Sequence, residues 1–184
     1  MGAVVINLFG GPGTGKSTGA AYIFALLKMR GVNAELVTEF AKDATWEKNF
    51  TALSNQPYVF GKQVYRISRC IDKVDVVVTD SPILLSVIYN KDKRSANTFR
   101  NYVCDVFNGF TNFNYYLTRV KKYDPNGRNQ TEEEADAISK QIKEFLDNNN
   151  IKHVNLFGNE EGYREIANNI LISMGKEPYT QGIE

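Results

Sequence analysis

Residues 10–18 read Gly10-Gly11-Pro12-Gly13-Thr14-Gly15-Lys16-Ser17-Thr18, and their setting decides the fold. The apolar run Ala3-Val4-Val5-Ile6-Asn7-Leu8-Phe9 precedes them, and Ala20-Ala21-Tyr22-Ile23-Phe24-Ala25-Leu26-Leu27 follows. Strand, glycine loop and helix start therefore stand in the order a phosphate-binding loop requires. Glycines let successive backbone N–H groups turn inward around a polyphosphate. The helix that begins near Lys16 aims the positive end of its dipole at the same place. Gly11, Gly13, Thr14, Gly15 and Thr18 then line the phosphates, Lys16 reaches the terminal ones, and the Ser17 hydroxyl ligates Mg²⁺. The plainer alternative is a glycine-rich turn with a stray lysine; the strand before it and the helix after it argue against that.

The rest of the chain narrows the class. Its 184 residues suit one domain with a full core. Lysine and arginine number 22 against 21 acidic residues, a balance that gives no support for coating nucleic acid or lying on a membrane. Cys70 and Cys104 lie outside any metal-ligand spacing and His153 is the one histidine, so zinc is not expected. The cysteines read as buried thiols of a reducing cytosol, and the expected location is cytoplasmic. No apolar run reaches membrane-spanning length.

Outward from the loop, strands alternate with helices. Lys28-Met29-Arg30-Gly31 stops the first helix. Asn33–Thr38 reads as a second strand ending in Glu39. Thr45 is placed to cap a helix bearing Trp46, Phe50 and Leu53 on one face, with Trp46 packed. Asn55-Gln56-Pro57 breaks the chain before a helix from about Tyr58 to Lys73. Asp75–Asp80 is a third strand whose apolar run suits burial on both faces. Pro82 opens a helix to about Tyr89, and Ser95–Asn108 is another. Asn114–Thr118 is a fourth strand, followed by a basic, turn-rich excursion over Arg119–Gln130. Thr131 and Glu134 form a capping box for the next helix. Lys152–Phe157 is a fifth strand, and a final helix carries Tyr163, Ile166, Ile170 and Met174. This alternation predicts an α/β domain with a parallel sheet and helices on both faces. Ligands in such sheets bind at the carboxyl ends of the strands, where residues 10–18, Glu39, Asp80 and Arg119 all fall.

The candidate chemistry follows from those positions. Asp80 can hold Mg²⁺ directly or through water, although an Asp-Ser-Pro turn could use it only as a cap. Glu39 can take a proton from an acceptor hydroxyl or help order Mg²⁺; Asp43 is less well placed. Arg119 and Arg128 can neutralise charge that spreads over a moving phosphoryl group, with Lys121 and Lys122 as weaker candidates. Arg119 could instead stack on an adenine ring. Gln63, Arg66 and Arg69 recur every third residue as one polar strip, either a solvent face or a place to read a base edge and hold an acceptor's phosphate. Tyr58, Phe60 and Tyr65 could flank a flat ligand but more often pack in a core. His153 receives no role.

These motifs resemble the P-loop nucleotide and nucleoside kinases, most closely the small phage and bacterial ATPase-like kinases similar to the ribosylnicotinamide kinase domain. The resemblance spans nearly the whole chain in element order. It is sharpest at residues 10–18, at Val76-Val77-Val78-Thr79-Asp80-Ser81-Pro82 and at Asp124-Pro125-Asn126-Gly127-Arg128. It implies a five-stranded parallel sheet in the order 2-3-1-4-5, with a lid over about 119–131 and an acceptor pocket from helices of about 40–73. It implies ATP as donor and Mg²⁺ as cofactor, Arg119 and Arg128 as lid cations, and Glu39 and Asp80 as the acidic residues after the second and third strands. The loop Gly158–Glu161 corresponds to one that packs on adenine. Two neighbourhoods depart from the family: Glu39 precedes Phe40 rather than proline, and Asp80 precedes Ser-Pro rather than an arginine-containing triplet. Neither fixes the acceptor.

The expectation is transfer of the γ-phosphoryl group of ATP to a nucleoside or nucleoside monophosphate, with Glu39, Gln63 and Arg66 on the acceptor. Two rivals stand beside it: a kinase of a hydroxyl carried by DNA, which an extended basic acceptor face would favour, and a nucleotide-dependent ATPase or switch, which needs no acceptor pocket.

Overall fold

Five strands form one sheet in the computed structural model, which describes residues 2–124 and 131–180. They are β1 (Val4–Phe9), β2 (Ala34–Val37), β3 (Val76–Thr79), β4 (Thr111–Thr118) and β5 (Val154–Phe157). The order is β2-β3-β1-β4-β5 and every pairing is parallel, as expected. Parallel neighbours need crossovers, and the helices supply them. These are α1 (Lys16–Met29), α2 (Phe40–Trp46), α3 (Phe50–Ser54), α4 (Gln56–Ser68), α5 (Leu85–Tyr89), α6 (Ala96–Asn108), α7 (Glu132–Asn148) and α8 (Glu160–Ser173).

Alternation along the strands divides the core in two. Ile6 and Leu8 of β1 face one side, where they pack with Ile23 and Leu27 of α1 and Ile166 and Ile170 of α8. Val5 and Phe9 face the other, against Phe60 and Ile67 of α4, Val103 of α6 and Ile142 of α7. Covered on both faces, β3 is buried at all four positions, which is why it reads as an unbroken apolar run. No described helix is long and apolar enough to cross a membrane.

Local expectations fail where elements are short or their partners distant. Thr45 caps nothing: it lies inside α2, where its hydroxyl donates to Ala41 O at 2.8 Å. The caps are Asn49, accepting from Ala52 N at 3.0 Å, and Asn55, accepting from Tyr58 N at 3.2 Å. Trp46 and Phe50 are about 70% exposed (71% and 70%) rather than packed. β4 starts at Thr111, ahead of the expected Asn114, because β1 continues the ladder from Val4↔Thr111. α4 stops at Ser68, short of Lys73, in turns closed by Cys70 N→Ile67 O and Lys73 N→Cys70 O. α5 begins at Leu85 because Pro82 sits in a preceding turn, its carbonyl accepting from Leu85 N.

Candidate active site

The loop between β1 and α1 bends through three glycines at positive φ: Gly10 at 142°, Gly13 at 82° and Gly15 at 89°. Side chains rarely adopt those angles, so glycine is required on backbone grounds. Space demands it as well. A Cβ on Gly10 would stand 2.6 Å from Thr14 Oγ1 and 2.8 Å from Leu117 O. One on Gly13 would meet the Tyr123 ring at 3.2 Å and Arg119 Cδ at 3.6 Å. Thr14 closes the loop internally by donating to Gly11 O at 3.0 Å. Lys16 Nζ lies over the loop, donating to Gly10 O at 2.7 Å and Gly11 O at 2.8 Å.

α8 and the turn before it brace this loop. Tyr163, on α8, donates its phenol hydrogen to Gly15 O at 2.9 Å. Gly158 N donates to Thr118 O at 2.9 Å, which ties the β5–α8 turn to the end of β4. A Cβ on Gly158 would collide with Thr14 O and lie 3.0 Å from Thr14 C. Both atoms are backbone and cannot swing aside. Gly158→Ala is therefore expected to destabilise the fold by about 1–3 kcal/mol and to weaken ATP binding together with it. Urea unfolding and equilibrium titration with ATP measure the two effects. In the sequence Tyr163 reads only as a member of an apolar helical stripe; its hydroxyl is the signal that marks it for a polar partner.

Ser17, Glu39 and Asp80 line one cavity of about 300 Å³, together with Lys42, Asp43 and Trp46. Glu39 is the N-cap of α2 but makes no side-chain capping bond, so its carboxylate is left to the cavity. Burial raises the Glu39 carboxyl above its ordinary value; the Lys16 charge opposes that and the Asp80 charge adds to it. Tyr89 is a neighbour the sequence did not single out. Burial first, and the Glu39 charge second, push its phenol up to about 12, so it stays a protonated donor. Asp80 is 4% exposed, and its Oδ1 has no hydrogen-bond partner among the described residues. A buried carboxylate oxygen without a donor, beside a serine hydroxyl, suits a hard divalent cation. No cluster of three or more histidine, cysteine or acidic side chains able to hold a metal occurs among the described residues.

Arg119 leaves the end of β4 toward Gly13, with its side chain 16% exposed. Its Nη2 donates to Asp136 Oδ1 at 2.5 Å and pairs with Glu132 Oε1 at 3.1 Å, both on α7. Its guanidinium carbon lies 5.2 Å from the centre of the Tyr123 ring. Nη1 is buried and has no hydrogen-bond partner among the described residues, so it is a donor available to an anion at the loop. Thr131 and Glu134 form the expected capping box at the start of α7. Arg128 lies outside the described residues, as does the stretch 125–130 of the expected lid.

Gln63, Arg66 and Arg69 do not form one solvent face. Gln63 is 3% exposed. It accepts from Phe40 N at 3.0 Å and donates to Thr38 O and Thr79 Oγ1, both at 3.4 Å. It thus ties the end of β2 to β3, because the backbone groups where a strand ends need partners. Arg66 donates to Thr38 O at 3.2 Å and forms an ion pair with Asp43. Of the three aromatics, Phe60 is core, whereas Tyr58 and Tyr65 are exposed.

Two solved structures of deoxyadenosine kinase from M. mycoides share the fold. The one with bound dATP gives a TM-score of 0.56 at 18% identity, covering 94% of this chain and 100% of that one. The one with the products dCMP and a flexible dCDP gives 0.55 at 17% identity, covering 93% and 98%. The sequence model described as AAA domain matches residues 5–162. A comparison with curated proteins finds no match.

Proposed function

We propose, on the premise that this chain belongs to the AAA-domain family, that it transfers the γ-phosphoryl group of ATP to a nucleoside or nucleoside monophosphate. The carrying observation is the cavity beside the phosphate loop, where Ser17 and Glu39 meet Asp80, whose Oδ1 has no hydrogen-bond partner among the described residues. A nucleotide switch would need the loop but not a second, acid-lined space next to it.

Each residue's task follows from its place. The loop amides and the α1 N-terminus hold the donor's phosphates. Lys16 exchanges the carbonyls of Gly10 and Gly11 for phosphate oxygens. Bound Mg²⁺ would be held by Ser17 and Asp80 and would neutralise phosphate charge. Glu39 orients the acceptor and takes its proton; desolvation makes its carboxylate a stronger base than one in water. Arg119, braced by α7, offers Nη1 to the charge that spreads over the moving group. Arg128 is proposed for the same task from the lid.

Incubation with γ-labelled ATP and a panel of nucleosides, monophosphates and DNA tests this. Label on a nucleoside or monophosphate supports it. ATP hydrolysis indifferent to every acceptor would replace it with the switch.

Glu39→Gln supplies a second check. Transfer should fall by about 10²-fold or more, and the loss of rate on the acid side of the wild-type profile should disappear. The sign for stability is opposite. Because the folded-state pKa is raised, wild-type stability declines as pH climbs from the ordinary carboxylate value of 4.5 through the raised one. The glutamine variant should lack that decline and melt higher at neutral pH. Thermal melts across pH 4–8 read it.

A further inference from the structure

We infer that a second cavity, on the outer side of Thr38, binds a phosphate already present on the acceptor, and that the acceptor reacts through a hydroxyl group instead. This rests on the phosphotransfer proposed above and narrows it. The second cavity is about 440 Å³ and lies between α2, α4 and the free edge of β2. Lys62, Arg66 and Arg69 line it against one carboxylate, Asp43. In a chain whose net charge is +1, that is a local concentration of cations. The cavity beside the phosphate loop has the opposite balance: Glu39, Asp43 and Asp80 against Lys42. Leu36, Thr38 and Asp43 border both spaces, so the two adjoin.

This division of charge sorts the two ends of an acceptor. A phosphate acting as nucleophile would sit among carboxylates, which repel it. A hydroxyl is neutral, needs a base, and finds Glu39. Guanidinium forks and an ammonium suit a phosphate held away from the reaction. Arg66 is already oriented by Thr38 O and by Asp43. Tyr65, 67% exposed beside them, offers a ring face to a base. In the step itself the hydroxyl oxygen bonds to the γ-phosphorus as the bond to the bridging oxygen breaks. ADP leaves with that electron pair, and the hydroxyl proton passes to Glu39.

The test compares three acceptors: a nucleoside, its monophosphate with another hydroxyl free, and a dinucleotide with an internal phosphodiester. The phosphate-bearing acceptors should exceed the nucleoside in kcat/KM by about tenfold or more, chiefly through KM, with label on a hydroxyl oxygen. Whether the monophosphate or the dinucleotide leads tells which source of phosphate the cavity takes. The double variant Lys62→Ala, Arg69→Ala should remove most of that advantage, whereas Lys152→Ala, at the opposite edge of the sheet, should keep it. A diphosphate product, an equally good nucleoside, or an advantage that survives the double variant would overturn the inference. If no acceptor takes label, the phosphotransfer proposal fails, and the subsite is judged by binding of fluorescent monophosphate and dinucleotide. Binding weakened by the double variant then supports the subsite; absent or unchanged binding refutes it.

Discussion

Replacing Lys16 with alanine is expected to lower phosphoryl transfer from ATP by about 10³-fold, with little change in the melting temperature. Lys16 Nζ is the cation at the centre of the loop, held 2.7 and 2.8 Å from the carbonyls of Gly10 and Gly11. Removing one preorganised donor from a transition state typically costs 10²–10³-fold, about what is lost here when the donor also carries full charge. The loop's shape does not depend on those two contacts. Its positive φ angles, the Thr14–Gly11 bond and the Tyr163 brace remain. Single-turnover transfer from labelled ATP and a thermal melt separate chemistry from folding. The same variant removes the charge that opposes the raised Glu39 carboxyl, so any residual activity should show its acid limb moved to higher pH.

The second large effect is expected from Asp80→Asn. Transfer should drop by about 10²–10³-fold, and the dependence on Mg²⁺ concentration should shift to higher values. Stability should move the other way. Asp80 is 4% exposed with one carboxylate oxygen lacking any donor among the described residues. A neutral amide costs less to keep there than an anion. A gain of about 1 kcal/mol would raise the melting temperature by roughly 2–4 °C in a chain of this size. A loss of activity accompanied by a lower melting temperature would mean that Asp80 serves the fold rather than the cation. Stabilisation paired with inactivation is the usual mark of a site held ready at a cost to the fold.

Most of the architecture was legible because its signals are local. The glycine loop needs its glycines at fixed offsets, and β3 declares burial on both faces through Val76–Val78. In a parallel sheet, sequence position alone puts Glu39, Asp80 and Arg119 at one end of the strands. The misreadings came from pairings between distant segments. Nothing around Gln63 shows that it will tie β2 to β3, and nothing around Arg119 shows that Glu132 and Asp136 will hold it. α2 spans seven residues, too few for a periodic stripe, so sequence spacing puts Thr45 at a helix start and Trp46 in a packed face, whereas both lie in α2 and Trp46 is exposed. The opposite charge of the two adjoining cavities was invisible for the same reason, since each draws its lining from several elements.

The brace from Tyr163 to Gly15 spans 148 residues of chain. A partly synthesised polypeptide would already contain the glycine motif, yet would lack the helix that steadies it. Competence to hold ATP should thus appear only once α8 has docked. Contacts of such long sequence separation form late and slowly. Nucleotide uptake can then serve as a reporter of that docking, and ATP added during refolding should favour the docked state by mass action.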